Sequence, residues 1–144
     1  MKNIIFLKLY LTLPFFLIIN NLLAQEGFVK NNGQFPINVI AKKKLSGGAL
    51  FVERGKLSFS FYNQKQLKNF HDHKNTDSKI SFHSYRILFK NISKNITISY
   101  NNKYDYVENY YLGEKQNWVS SVPVFNEVLQ QKIYRGIDLK IYNH

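Results

Sequence analysis

Histidine and aspartate, residue types that commonly bind metal ions, cluster at His71, Asp72 and His73. Two histidines two residues apart can bind one ion from a strand, but a metal site in a protein uses three or four converging ligands. The surrounding sequence is basic and offers only Asp77 as a further acid. We therefore predict a solvated loop here and no metal site.

Catalysis by a nucleophile or by an acid–base pair requires residue combinations that this sequence does not single out. The chain has no cysteine, and none of its serines lies in the G-x-S-x-G pattern of a nucleophile elbow. A glycosidase needs two carboxylates that face one cleft. Nothing in the spacing of the 9 acidic residues selects such a pair. The sequence predicts a protein that is not an enzyme and that needs no cofactor.

Aromatic residues are concentrated between Tyr106 and Phe125, in the stretch YVENYYLGEKQNWVSSVPVF, which contains the only tryptophan. Exposed tyrosine and tryptophan rings can stack on sugar rings, and the candidates for such a ligand site are Tyr110, Tyr111 and Trp118. Successive side chains of a strand point to opposite faces, so only part of this set can face one ligand. A small domain without disulfides needs large aromatic burial. We expect the stretch to build the core and keep ligand binding as the alternative.

The elements that must position these residues are predicted to be strands. In KLSFSFYN, a leucine and two phenylalanines alternate with serine and tyrosine, which is the period of two that a strand requires. Together with the preceding GGALFVERG, this pattern predicts a hairpin over residues 49–61. The polar stretch 63–78 is predicted to be a loop with one helical turn around residues 65–70.

The second half of the chain continues the strand pattern. Residues 80–90, ISFHSYRILFK, carry apolar side chains on both faces, which indicates an interior strand. Residues 101–105, NNKYD, are predicted to turn the chain after a short strand. Pro123 lacks the N–H of a ladder hydrogen bond, so its strand must bend or lie at an edge. The predicted fold class is all-β, as an antiparallel β-sandwich-like domain.

The chain begins with an apolar run, IIFLKLYLTLPFFLIINNLLA, preceded by a lysine. The uninterrupted apolar core of this run is shorter than the about 20 residues that a membrane-spanning helix needs. We predict a secretory signal peptide over residues 1–24, cleaved between Ala24 and Gln25. The alternative is an uncleaved anchor from Ile4 to Leu23. We expect residues 25–144 to be a secreted or cell-surface domain without a transmembrane span.

The net charge of +11 comes from lysines that are scattered along the chain, with KKK at residues 42–44 as the one run. Proteins that bind nucleic acid carry their basic residues in a clustered patch or stripe. We therefore predict no nucleic-acid binding. The partners stay unknown at this point, and surface polysaccharide or other envelope proteins are compatible with the charge.

Several stretches of the chain together resemble a known family, the N-terminal domain of unknown function of large secreted Bacteroidota proteins. They are FVKNNGQFP at 28–36, GGALFVERGKLSFSFYN at 47–63, HSYRILFKN at 83–91 and NYYLGEKQNWVSSVPVFNEVLQQKIYRGIDLKIY at 109–142. The last stretch is the most specific, because it keeps Y-L-G, W, V-P and G-I-D-L in the order and spacing of the family. Arg135, where the family has proline, and Lys115 after Glu114 depart from the pattern in turns.

The resemblance implies a longer protein, since relatives continue into β-propeller-type repeats, adhesin-like β-domains and a gliding-motility or type IX secretion sorting domain. It implies that the domain at residues 25–144 is incomplete at its C-terminal end, with an exposed edge on its last strand. The family has no established catalytic residues. We expect a non-enzymatic N-terminal module of an adhesin-like or gliding-associated protein, and a carbohydrate-binding module is the alternative.

Overall fold

The structure, a computed structural model, describes residues 26–72 and 79–143. Eight strands account for most of these residues, with one α-helix and one short 3₁₀ helix, Lys115–Asn117. The elements are β1 Phe28–Lys30, β2 Val39–Leu45, β3 Gly48–Glu53, β4 Lys56–Tyr62, α1 Gln64–His71, β5 Phe82–Leu88, β6 Thr97–Tyr110, β7 Val119–Tyr134 and β8 Ile137–Tyr142. All strand pairs are antiparallel, so the predicted all-β class is confirmed.

The strands form one continuous sheet in the order β5-β4-β3-β2-β1-β7-β6, and β8 also pairs with β7. The sheet curls into a half-barrel. The described strands form no second, facing sheet, so the sandwich-like arrangement is not confirmed. Within residues 26–72 and 79–143, no helix has the length and apolar content that a membrane crossing requires. The predicted signal peptide and its Ala24–Gln25 cleavage site lie outside the described residues.

The core lies inside the curl, where β1, β2, β3 and β7 bring small and medium-sized apolar side chains together. Its buried members are Phe28, Ala41, Leu50, Val52 and Val128. A second cluster of valines, Val29, Val122 and Val124, lies where β1 pairs with β7. The pairing of β1 with β7 therefore brings the first strand and the second-last strand of the described chain into one core.

Gln130 links β7 to the turn between β3 and β4 through side-chain hydrogen bonds. Its side chain is fully buried. The amide oxygen accepts the backbone N–H of Gly55 at 2.9 Å, and the amide nitrogen donates to the carbonyl of Glu53 at 2.9 Å. Gly55 and Glu53 flank the turn between β3 and β4, which are not sheet neighbours of β7. One side chain thus satisfies two backbone groups of a distant hairpin.

The predicted hairpin over residues 49–61 is confirmed by β3 and β4, which pair from Gly48–Phe61 to Glu53–Lys56. The predicted helical turn around residues 65–70 is present as α1. Asn63 caps this helix, because its side-chain oxygen accepts the backbone N–H of Gln66 at 3.0 Å.

The segment 80–90 contains an edge strand, and the prediction of an interior strand is wrong. β5 pairs with β4 and with no other described strand. All of its residues are exposed. Apolar residues on both faces indicated burial on both sides, but a strand is buried only where other elements cover it, and among the described strands β5 has β4 as its one neighbour. The ring of Tyr85 instead stacks on Phe59 of β4, with centroids 4.8 Å apart.

The turn predicted at residues 101–105 is also absent, since β6 continues through this segment as one strand. Asn102 adopts a positive φ of 54°, and the pairing with β7 shifts between Lys103 and Val107. Asparagine tolerates this backbone region, so Asn102 fits into the strand without a change of register from Asn101 to Lys103, and the bulge lies after Lys103. Pro123 lies inside the sheet, between this shift and a second one at Glu108–Tyr110.

The last strand, β8, pairs with β7 and with no other described strand. Its side chains alternate between half-buried and exposed positions, and Ile137 and Tyr142 are each 56% exposed. Ile141, which points to the opposite face from Tyr142, packs against the main core. β8 therefore contributes one face to the core and keeps its other face in solvent.

Candidate functional site

The turn between β6 and β7 carries an exposed pair of aromatic rings, Tyr111 and Trp118. The last paired residues of the two strands are Tyr110 and Val119, so Tyr111 and Trp118 face each other one step beyond the ladder. Their ring centroids lie 5.2 Å apart at an interplanar angle of 56°. Tyr111 is 57% exposed and Trp118 is 44% exposed. We call Tyr111 and Trp118 the aromatic pair.

The turn itself holds the indole in place. Gly113 adopts a φ of +68°, a conformation that glycine reaches without strain. Its carbonyl accepts the indole N–H of Trp118 at 3.2 Å. The backbone N–H of Trp118 donates to the carbonyl of Lys115 at 3.1 Å, at the end of the 3₁₀ helix. The indole nitrogen is therefore bonded within the turn, while Trp118 stays 44% exposed beside Tyr111.

Tyr110, the third aromatic candidate, lies on the other side of the sheet and packs inward. Its ring meets Phe35 edge to face, with centroids 5.3 Å apart and an angle of 84°. Its hydroxyl donates to a carboxylate oxygen of Glu108 at 2.6 Å. Burial, followed by the hydrogen bond and the negative charge of Glu108, holds the pKa of Tyr110 well above its ordinary value. Tyr110 is a packing residue that stays protonated.

The expectation that the aromatic stretch builds the core therefore holds for Tyr110 and is wrong for Tyr111 and Trp118. The reason is where the ladder ends. Tyr110 still has a strand partner and a packed neighbour, Phe35. The aromatic pair lies beyond the last strand partner, so its two rings cover each other and remain exposed.

A groove of about 430 Å³ lies beside this turn, and its polar side chains escaped the sequence analysis. It is lined by Asn32, Gly33, Gln34, Tyr110, Leu112, Gln116, Asn117 and Val119. The side-chain amides of Asn32 and Asn117 make no hydrogen bond with any described residue, whereas Gln34 donates to the carbonyl of Lys30 at 2.6 Å. Because β1 pairs with β7, residues 32–34 reach this turn. No local pattern in NNGQ predicts that placement.

A larger cleft of about 1030 Å³ lies near the turn between β3 and β4, and its charged groups are already engaged. The carboxylate of Glu53 accepts hydrogen bonds from Asn38 and from Ser58, and it forms an ion pair with Lys56. Arg54 donates to the carbonyl of Ile96 at 2.5 Å. These bonds connect loops and strands around the cleft, so we assign them a structural role.

Glu53 is 6% exposed, and its charge state follows from its partners. Burial acts to raise the pKa of its carboxyl group. The hydrogen bonds from Lys56, Ser58 and Asn38, together with the charge of Lys56, lower it by more, so the pKa lies below its ordinary value. The carboxylate is therefore a fully bonded anion and a poor general acid.

The histidine cluster lies partly outside the described residues. His71 is the last residue of α1 and Asp72 follows it as the C-cap, both exposed, while His73 and Asp77 are not described. Among residues 26–72 and 79–143, no three histidine, aspartate or glutamate residues group closely enough to bind a metal ion.

The chemistry available at the turn is that of recognition. Two exposed aromatic faces offer stacking surface, and side-chain amides offer both hydrogen-bond donors and acceptors. Sugar rings present the same combination of apolar faces and hydroxyl groups. The aromatic pair and the uncharged residues that line the groove therefore offer the kinds of contact that suit a polar ring ligand.

Comparison with known proteins gives one finding. A family model, a domain of unknown function termed DUF7948, matches residues 28–144. No curated protein and no solved structure gives a significant match. The family match covers all eight strands, the aromatic pair and the groove. The chain belongs to the DUF7948 family.

Proposed function

We propose that this domain is a non-enzymatic recognition module of a secreted or cell-surface protein, of the adhesin-like or gliding-associated kind. The apolar leader at residues 1–24 and the resemblance to large secreted Bacteroidota proteins support export and the surface location. The aromatic pair is the observation that carries the recognition role. Its two large rings stay about half exposed at the end of the β6–β7 ladder.

Because these rings are exposed at a turn, they contribute less to the free energy of unfolding than buried rings would. A fully buried large apolar side chain contributes about 1.5–3 kcal/mol relative to an exposed one. Leu112, between them, is 76% exposed, so three large apolar side chains form one patch at this turn. Contiguous exposed apolar surface of this kind is typical of a contact site.

The second candidate function is carbohydrate binding, which the groove favours. Leu112 joins the patch to the groove because it belongs to both. A glycan chain that stacks on Tyr111 or Trp118 has the side-chain amides of Asn32 and Asn117, which bond no described residue, within the adjacent groove. Neutral amides bind hydroxyl groups without the desolvation cost of a charge.

Glycan-array binding by purified variants tests this proposal. Trp118→Ala and Tyr111→Ala should retain the far-UV circular dichroism spectrum and the unfolding midpoint of the wild type while losing glycan binding. Tyr142→Ala is the matched control, since Tyr142 is 56% exposed on β8, away from the turn. Retained binding in both turn variants would refute the carbohydrate site. A Trp118→Ala variant that unfolds would assign the ring to the core.

The surface location and the lack of enzymatic activity need separate measurements. N-terminal sequencing of the exported protein should begin at Gln25. A mature protein that keeps residues 1–24 would contradict the cleaved leader. Turnover of any member of a broad panel of glycoside and peptide substrates would contradict the non-enzymatic role.

A further inference from the structure

The outer edge of β5 carries backbone groups that no described strand uses. Two hydrogen bonds fix which groups these are. Asn63 N–H donates to the carbonyl of Ser81, and Phe89 N–H donates to the carbonyl of Gly55. Hydrogen-bonded residues alternate along an antiparallel pair, so the odd-numbered residues of this segment point their N–H and C=O groups at β4. The even-numbered residues, Phe82, Ser84, Arg86 and Leu88, point theirs outward.

The inner face of the sheet continues to this edge and ends there uncovered. His83, Tyr85 and Ile87 lie opposite Phe61, Phe59 and Leu57 of β4 on this face. Tyr85 and Ile87 are each 45% exposed. An added strand would extend the apolar face of the curl by one row, and its inward side chains would pack on Tyr85 and Ile87.

The charge at this edge has one sign. The segment 79–90 contains Lys79, Arg86 and Lys90 and no acidic residue. Arg86 lies on the opposite face from Tyr85, next to Ser58 of β4, and forms no ion pair with a described carboxylate. A second copy of β5 would bring like charges together across the new ladder, which is destabilising. An acidic strand would place opposite charges there.

We propose that β5 binds an extended peptide by strand addition, and that this peptide alternates apolar and acidic residues. The peptide pairs with the outward N–H and C=O groups of the even-numbered residues. Its apolar side chains pack on Tyr85 and Ile87, and its acidic side chains lie on the face of Arg86. The site is at the opposite end of the strand order from the aromatic pair, and it does not depend on glycan binding.

Fluorescence anisotropy with a labelled nine-residue peptide of alternating valine and glutamate tests the site on the purified protein. A second peptide carries lysine in place of glutamate. The acidic peptide should bind saturably and at least about tenfold more tightly than the basic one, which corresponds to 1.4 kcal/mol. Arg86→Glu should reverse the order of the two peptides. Equal binding of both peptides to the wild type would overturn the proposal.

A proline substitution tests the backbone contact. Ser84→Pro removes one outward N–H and leaves the ladder with β4 intact, and proline is tolerated on sheet edges. Ser84→Ala is the matched control, because both variants lose the hydroxyl contact to Ser60 at 3.1 Å. Binding should be lost in Ser84→Pro and kept in Ser84→Ala. If Ser84→Pro binds as tightly as Ser84→Ala, strand addition at this edge is refuted.

Two further measurements keep the test decisive. If circular dichroism shows that Ser84→Pro is unfolded, a peptide N-methylated at alternate amides replaces it, with the methyl groups on the pairing side. This peptide should not bind, whereas methylation on the other side should be tolerated. Size-exclusion chromatography with light scattering should give a monomer without peptide. A dimer that Ser84→Pro converts to a monomer would overturn the proposal in favour of self-pairing.

Discussion

The hydrogen bonds of Gln130 are expected to be among the larger single contributions to stability in this fold. Gln130→Met keeps the length and approximate volume of the side chain, so the substitution opens no large cavity. It removes both polar atoms and leaves the buried N–H of Gly55 and the carbonyl of Glu53 without this partner. The substitution therefore measures the effect of the lost hydrogen bonds with little change in packing.

The magnitude follows from which backbone groups lose their last partner. A buried donor or acceptor left without a partner costs about 1–3 kcal/mol. The carbonyl of Glu53 keeps a partner, because it also faces the N–H of Lys56 across the β3–β4 ladder. One orphaned group, the N–H of Gly55, predicts that Gln130→Met lowers the free energy of unfolding by about 1–3 kcal/mol. At several degrees per kcal/mol for a domain of this size, a loss of about 3 kcal/mol lowers the melting temperature by roughly 10 °C. Such a loss is a large part of the about 5–15 kcal/mol that holds a typical domain folded.

The assay is equilibrium urea unfolding of the purified protein, followed by far-UV circular dichroism. Gln131→Met is the matched control, since Gln131 is the next residue of β7, is partly exposed, and makes no side-chain hydrogen bond with a described residue. The control should stay within about 0.5 kcal/mol of the wild type. If Gln130→Met also stays within that range, the bridge from β7 to the β3–β4 turn contributes nothing and the reasoning is refuted.

Two further predictions concern the residues of the β3–β4 turn, and the second uses Gly136, between β7 and β8, for comparison. The folded-state pKa of Glu53 lies below its unfolded value, so its stabilising contribution is full above the unfolded value and is lost as pH falls through the folded value. Urea unfolding between neutral and acidic pH should show a smaller acid loss in Glu53→Gln than in the wild type, and parallel curves would contradict this. Gly55 and Gly136 both have positive φ, but of the two only Gly55 would place an added Cβ against a side chain, that of Ile92. Gly136→Ala should cost about 1–2 kcal/mol and Gly55→Ala more; equal unfolding midpoints would argue against the contact with Ile92.

The order of strands near the middle of the chain follows from local sequence. Alternation in KLSFSFYN and the glycines that precede and follow GALFVER predict the β3–β4 hairpin, and the structure contains it. Such a hairpin needs only a strand period of two and a residue that tolerates positive φ, here Gly55 at 57°. Both requirements are visible within about a dozen residues.

Local patterns were misleading where a long-range contact decides. NNKYD contains turn formers, yet the pairing of β6 with β7 carries the chain through it as one strand, with a bulge only after Lys103. The apolar faces of residues 80–90 indicated an interior strand, but whether a strand lies inside or at an edge depends on what pairs beyond it. No local pattern in β5 specifies that its outer edge has no partner among the described strands.

In the candidate site, too, some features follow from local sequence and others depend on long-range contacts. The sequence by itself determined that Tyr110, Tyr111 and Trp118 border one turn, because Gly113 and the strand pattern around it are local features. Only the tertiary structure decided that Tyr110 packs on Phe35 while Tyr111 and Trp118 stay exposed, and that Asn32 lies near the same turn. The physical reason is that burial depends on contacts between distant segments. Here the pairing of β1 with β7 brings residues 28 and 29 against residues 125 and 124, and no short-range pattern specifies that partner.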